Sequence, residues 1–158
     1  GKKIARGGSW YDRPRRATPA DLPATLALIQ SAFAFMEGRI DPPSSMYRLT
    51  VEDLAQSEVW VIGAPPLSCI VLTPKTDALY LGKLAVAPPE RGKGRARALI
   101  DHAATRAREL ALSALELQTR IELVENQRTF EAMGFVELAR TAHEGYDRPT
   151  SITYRRPL

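Results

Sequence analysis

The chain has 158 residues, 44% of them hydrophobic and 25% charged, with a formal net charge of +4. This length implies one domain, large enough to bury a core without covalent staples. One cysteine excludes an internal disulfide, and one cysteine with two histidines is too few for an ordinary zinc site, so no metal is expected. No run approaches the roughly 20 apolar residues of a membrane span, and no apolar leader opens the chain; the expectation is a cytoplasmic protein with no membrane partner. The positive charge gathers at Lys2 to Arg16, at Arg91 to Arg97 and at Arg155 and Arg156, without interleaved aromatics. Nucleic acid is therefore not the expected partner.

Residues 1–13 are polar and Gly-rich and read as a flexible segment, with Trp10 covering something; a single domain is expected over 14–158. Arg15-Arg16-Ala17 reads as a short edge strand. Thr18 fits a helix cap, with Pro19 at the first helical position and a buried stripe of Leu22, Leu26, Ile29 and Phe33 running to about Phe35. Gly and Pro make 37–45 a loop, and Thr50 caps a short helix from Val51 to Gln56. Three strands follow, Val59–Ile62, Ser68–Leu72 and Ala78–Val86. Their short connections predict an antiparallel meander. Cys69 and Trp60 read as core residues of these strands.

A proline stop and the turn Arg91-Gly92-Lys93-Gly94 lead into the clearest helix, of about 19 residues. Its stripe is Ala96, Leu99, Ile100, Ala103, Ala107, Leu110 and Ala111. His102 falls on the other side and reads as inert surface. A strand around Leu115–Gln118 closes a crossover, so it should run parallel to the strand ending at Val86. Asn126 is expected to cap a short helix ending at Gly134, a left-handed C′ residue with Phe135 packing back and starting a strand. Residues 150–156 form a last strand after a polar hairpin loop. The fold class is α/β (α+β).

The turn is the place built to bring bare backbone N–H groups to an anion. A helix start offers about four unpaired N–H groups and a partial positive charge. Gly92 and Gly94 have no side chain to hold a phosphate away, and Lys93 and Arg95 add charge. A glycine turn that only reverses the chain would not need four flanking cations. The P-loop pattern fails at Gly94-Arg95-Ala96, and the dinucleotide fingerprint fails at Arg97, where a small residue is required.

The segment Arg91 to Ala96, after a strand ending Leu84-Ala85-Val86-Ala87-Pro88, resembles the acetyl-CoA motif of the GNAT N-acyltransferase superfamily. Asn126 and the run Phe130-Glu131-Ala132-Met133-Gly134-Phe135 match a second motif in the right order, and the element order agrees over roughly 14–157. The resemblance implies a mixed, mostly antiparallel sheet of six to seven strands with a central splayed parallel pair and about four helices. It implies acetyl-CoA as co-substrate and a small-molecule or peptide amine as acceptor, with a homodimer as a common family assembly. The N–H groups of Arg91, Gly92, Lys93, Gly94, Arg95 and Ala96 would hold the diphosphate. The pantetheine arm would add like a strand against Leu84, Ala85 and Val86, with an N–H at Leu84 or Ala85 facing the thioester oxygen and Asn126 bonding the arm.

Where the family often has a tyrosine to protonate the leaving thiolate, this chain has Phe130, which cannot. Tyr146 and Tyr80 are the alternatives, each more plainly a packing residue. For a general base, Glu116, Glu37, Asp41, Glu144 and the imidazole of His143 are candidates by location. By family analogy the acceptor pocket lies between the loop carrying Glu37 and Asp41 and the hairpin loop carrying His143 and Arg148. Their mixed charge leaves both a cationic and an anionic acceptor open. The alternative activity is a non-catalytic acyl-CoA sensor of the same fold.

Overall fold

The computed structural model describes residues 12–158. The expectations for Trp10 and for the basic residues Lys2, Lys3 and Arg6 lie outside that range.

β1 (Arg15–Arg16) pairs antiparallel with β2 (Glu58–Ile62). The Arg15 guanidinium grips Asp21 with two bonds, 2.7 and 2.9 Å, and the Gly63 carbonyl with a third, 2.9 Å. Asp21 also accepts from the Thr18 N–H and hydroxyl, at 2.8 and 2.9 Å. The first helix does not begin as regular α at Thr18. A 3-10 turn over Pro19–Asp21 precedes α1 (Leu22–Ala34). Pro23 lacks the N–H that an α pattern would send to the Pro19 carbonyl, so that carbonyl takes the Leu22 N–H instead. α2 (Val51–Ala55) has the expected Thr50 cap, completed by Asp53 as a capping box with bonds of 3.1 and 3.0 Å.

β2, β3 (Ser68–Pro74) and β4 (Ala78–Val86) form the antiparallel meander, and α3 (Arg95–Glu109) crosses over to β5 (Ala114–Arg120), which pairs parallel with β4. α4 (Val124–Ala132), β6 (Val136–Thr141) and β7 (Ser151–Pro157) complete a seven-stranded sheet in the order β1-β2-β3-β4-β5-β7-β6. The mixed, mostly antiparallel sheet with one central parallel pair is thus as expected. α3 is shorter than its apolar stripe implied, because Ala111 turns left-handed at φ +60° and the Leu112 N–H returns to Ala107. Asn126 is not a cap: Leu123 occupies that position and Asn126 lies in the first turn of α4. Gly134 stands at φ +93°, and the Phe135 ring is buried behind it, edge-on to Phe130.

Each face of the sheet carries a core. Leu79, Leu81, Leu115 and Ile152 pack under α3 residues Leu99, Ile100 and Ala103. Val59, Val61, Cys69 and Val71 pack under Leu22, Ile29 and Leu54. Each such buried aliphatic side chain contributes roughly 1.5–3 kcal/mol relative to exposure. Cys69 is fully buried, and burial pushes its thiol up to about 12. The Trp60 indole donates to Glu58 at 2.8 Å and lies 4.0 Å from the His102 ring. His102 is therefore no surface residue: burial lowers its pKa, because α3 turns it in toward the edge of the sheet and not out to water.

Candidate active site

β4 and β5 pair only at Ala78–Ala114, Leu79–Leu115 and Tyr80–Glu116. Beyond that, β4 runs on to Val86 held by β3 and β5 runs on to Arg120 held by β7, with no pairing between them. The inner edges of the two central strands thus stand apart. The register with β3 shows why. Val71 faces Gly82 but Cys69 faces Ala85, so β4 carries one extra residue, and Lys83 and Leu84 have no partner in that register. Lys83 sits at φ +52°, a conformation that costs a side-chain-bearing residue about 1–2 kcal/mol. A bulge of this kind bends its strand and sharpens the twist, which steers β4 away from β5.

The bulge also corrects the sequence reading of β4. Strict alternation would put Tyr80, Gly82 and Leu84 on one face. The Tyr80 ring lies 3.5 Å from where a Gly82 side chain would begin, so those two do share a face. Leu84 instead packs with Leu79 and Leu81 in the core under α3, and Ala85 joins Cys69 and Val71 on the opposite face. An isolated glycine inside a strand pattern is the signal that announces such a bulge, and Gly82-Lys83 carries it.

Between the parted strands lies a cavity of about 380 Å³. Tyr80 to Leu84 form one wall and Leu117 to Arg120 the other, with Asn126 and Phe130 of α4, Ile40 and Ser44 to Met46 of the loop after α1, and His143 of the hairpin loop around them. Leu84, Asn126, Phe130, Tyr80 and His143 are thereby brought together. Ala85 and Val86 do not line the cavity. Burial, followed by the charge of Glu116, raises the Tyr80 pKa, so its hydroxyl holds its proton. Glu116 itself turns to Arg155, 3.1 Å away.

Tyr146, Asp41 and Arg148 are among the expected residues that lie outside the cavity. Tyr146 donates its hydroxyl to Asp41 at 2.6 Å, and Arg148 reaches the other Asp41 oxygen at 2.9 Å with its guanidinium over the Tyr146 ring. This cluster ties the hairpin loop to the loop after α1. Arg120 reinforces the tie by donating to the Pro42 carbonyl, and Glu122 by accepting the Asp41 N–H at 3.2 Å. Glu37 lines a separate hollow of about 260 Å³ beside Gln30 and Tyr47. The sequence reading overlooked Lys83, Gln118 and Arg120. Polar side chains at the end of the buried strand β5 were the available sign.

His143 is held by Thr150. The Thr150 hydroxyl accepts the His143 backbone N–H at 2.9 Å, donates to the Thr141 carbonyl at 3.4 Å, and meets the ring at Nδ1. Nε2 is the ring nitrogen left free of that contact, and it makes no hydrogen bond among the described residues.

At the C-terminal end of β4, Gly92 and Gly94 stand at φ +78° and +80°, and a Cβ on either would meet nothing within 4 Å. Among the described residues, the N–H groups of residues 92–97 find no acceptor. The nearby cations are less free than their number implied. Glu90 takes both Lys93, at 3.3 Å, and Arg95, at 3.0 Å, which hold its carboxyl below the usual range; Arg95 also meets Asp12, and Arg91 lies over the Phe35 ring.

A turn of open amides at the end of a strand that parts from its parallel neighbour can be compared with known proteins. The acetyltransferase (GNAT) family model matches residues 26–135, more than half of the chain. The chain belongs to the GNAT acetyltransferase family. It is an acyltransferase of that type. A GNAT-family acetyltransferase from Staphylococcus aureus is 15% identical with a TM-score of 0.72, covering 92% of this chain and 98% of that one. A ribosomal-protein-alanine N-acetyltransferase from Brucella melitensis is 20% identical at 0.70, covering 92% and 99%. Ard1 from Thermoplasma volcanium is 20% identical at 0.67, covering 92% and 96%. At these identities the likeness establishes the fold. No curated protein matches the chain.

The GNAT family's co-substrate is acetyl-CoA, and the turn would fit its diphosphate with amides that have no acceptor among the described residues and with two glycines at positive φ. Among the described residues no three His, Cys, Asp or Glu side chains gather as a metal site, and no helix is long and apolar enough to cross a membrane.

Proposed function

We propose that this protein transfers an acetyl group from acetyl-CoA to the amine of an acceptor by direct attack on the thioester. The observation that carries the reading is the gap between β4 and β5, which ends at a helix start whose amides have no acceptor among the described residues. Residues 92–96 hold the diphosphate through main-chain N–H groups, and the free edge of β4 takes the pantetheine arm as an added strand. Asn126, in the cavity wall, bonds that arm.

Acetyl-CoA supplies an activated acyl group and a thiolate leaving group. The protein supplies the rest. The Ala85 N–H lies against the Cys69 thiol, which leaves the bulged Leu84 N–H as the donor for the acyl oxygen. One such donor lowers a barrier by about 2.7–4 kcal/mol. His143, which lines the cavity, takes the proton from the acceptor ammonium. It is the only one of the sequence-level base candidates that lines the cavity. Tyr80, kept protonated by burial, is the proton donor available to the thiolate in place of Phe130.

The test joins binding to turnover. Acetyl-CoA at about 100 times its Kd should raise the melting temperature by roughly 5–10 °C. A Gly92→Val/Gly94→Val variant that remains folded should lose that shift and the release of free thiol with amines. An unshifted native protein, or a variant that still binds, contradicts the reading.

A further inference from the structure

The residues of fixed charge that line the cavity are Lys83 and Arg120, and no Asp or Glu does so. The Lys83 ammonium has no ion pair or hydrogen bond among the described residues, although the residue stands at the tip of the bulge in a backbone conformation that opposes its own side chain. Arg120 is half-buried at the far end of the opposite wall. Its bonds go to the Pro42 and Pro43 carbonyls, neutral acceptors that aim the guanidinium without cancelling its charge. Two acidic groups, Asp41 and Glu122, lie near Arg120 without lining the cavity. Asp41 is shared by Arg148 and Tyr146, and Glu122 gives one oxygen to the Asp41 N–H. The loop after α1 and the hairpin loop both line the cavity and are tied together through Asp41.

An acceptor amine enters as a cation. A cavity meant for a simple polyamine would present carboxylates, and this one presents two cations. We infer that the acceptor is a small amine that also bears an oxyanion, a carboxylate or a phosphate, which Lys83 and Arg120 hold while the amine faces His143. This rests on the proposed acyl transfer for the acceptor's role, but the anion site can be measured without turnover. Lys83 attracts the oxyanion as a point charge from one wall; Arg120 contributes the guanidinium N–H groups that the proline carbonyls leave over.

The experiment titrates the CoA-saturated protein with paired ligands by calorimetry. One pair is a set of N-acetyl amino acids against their amides; the other is a set of N-acetyl aminoalkyl phosphonates against their neutral esters. The acid member of at least one pair should bind about ten- to a hundredfold more tightly than its neutral partner. Lys83→Gln, which removes no protein contact, should erase most of that ratio while leaving CoA affinity unchanged. Arg120→Lys should reduce it in part. Equal binding of acid and neutral ligands in both pairs, no binding of either, or variants that lose CoA affinity instead, overturns the inference. Tight, Lys83-dependent acid binding without acetylation of any amine would leave the anion site standing and defeat the proposed transfer. The more tightly held pair separates carboxylate from phosphate.

Discussion

The His143 ring meets one hydroxyl, that of Thr150, at Nδ1, and its other ring nitrogen has no hydrogen-bond partner among the described residues. Thr150 is fully buried and anchored to Thr141, so it holds the imidazole as a fixed neighbour would in other acid–base pairs. The expectation follows at this scale. His143→Ala should lower kcat by about 10²- to 10⁴-fold. Affinity for acetyl-CoA should stay unchanged, because the residue touches the acceptor end of the cavity. Steady-state rates with a turned-over amine, alongside direct CoA titration, check it; a kcat within twofold of the native value excludes His143 as the base. Tyr146, by contrast, spends its hydroxyl on Asp41, whose hydrogen bond raises its pKa, and serves as a tie between loops.

At the scale of elements, Asp21 joins β1 to α1. The Arg15 guanidinium beside it holds its carboxyl well below the usual carboxylate range, against the opposing effect of burial. A carboxylate with a depressed native pKa contributes stability above its unfolded value near about 3.9, and the contribution is lost as pH falls toward the folded value. Asp21→Asn should therefore cost about 1.5–3 kcal/mol at pH 7. The gap between native and variant melting temperatures should narrow below about pH 4; a gap constant with pH contradicts the assignment. Elements of this kind were legible in the chain: Thr18 and Thr50 mark helix starts, the crossover helix shows its stripe, and a strand–helix–strand run forces parallel pairing. The bulge was not read, because hydrophobic alternation assumes one residue per rung and Lys83 breaks the count. The consequences spread from there: Leu84 changed face, the strands parted, and Lys83 and Arg120 came to line one cavity. The contacts of Tyr146 and Arg148 went unread for a related reason. Their partner Asp41 lies 105 and 107 positions away in sequence, and no local pattern encodes such a contact.

At the scale of the whole molecule, two cores clamp the outer neighbours of β4 and β5, so the two strands can part without loosening the sheet. That opening runs between two strand edges that do not pair with each other, which suits a long flexible co-substrate laid along a strand. Amide hydrogen exchange, followed residue by residue with and without saturating acetyl-CoA, addresses this most directly. The account predicts slowed exchange at residues 92–97 and at Leu84 together, with the outer strand β6 unchanged. Protection confined to other segments, with 92–97 exchanging as fast as in the free protein, contradicts it.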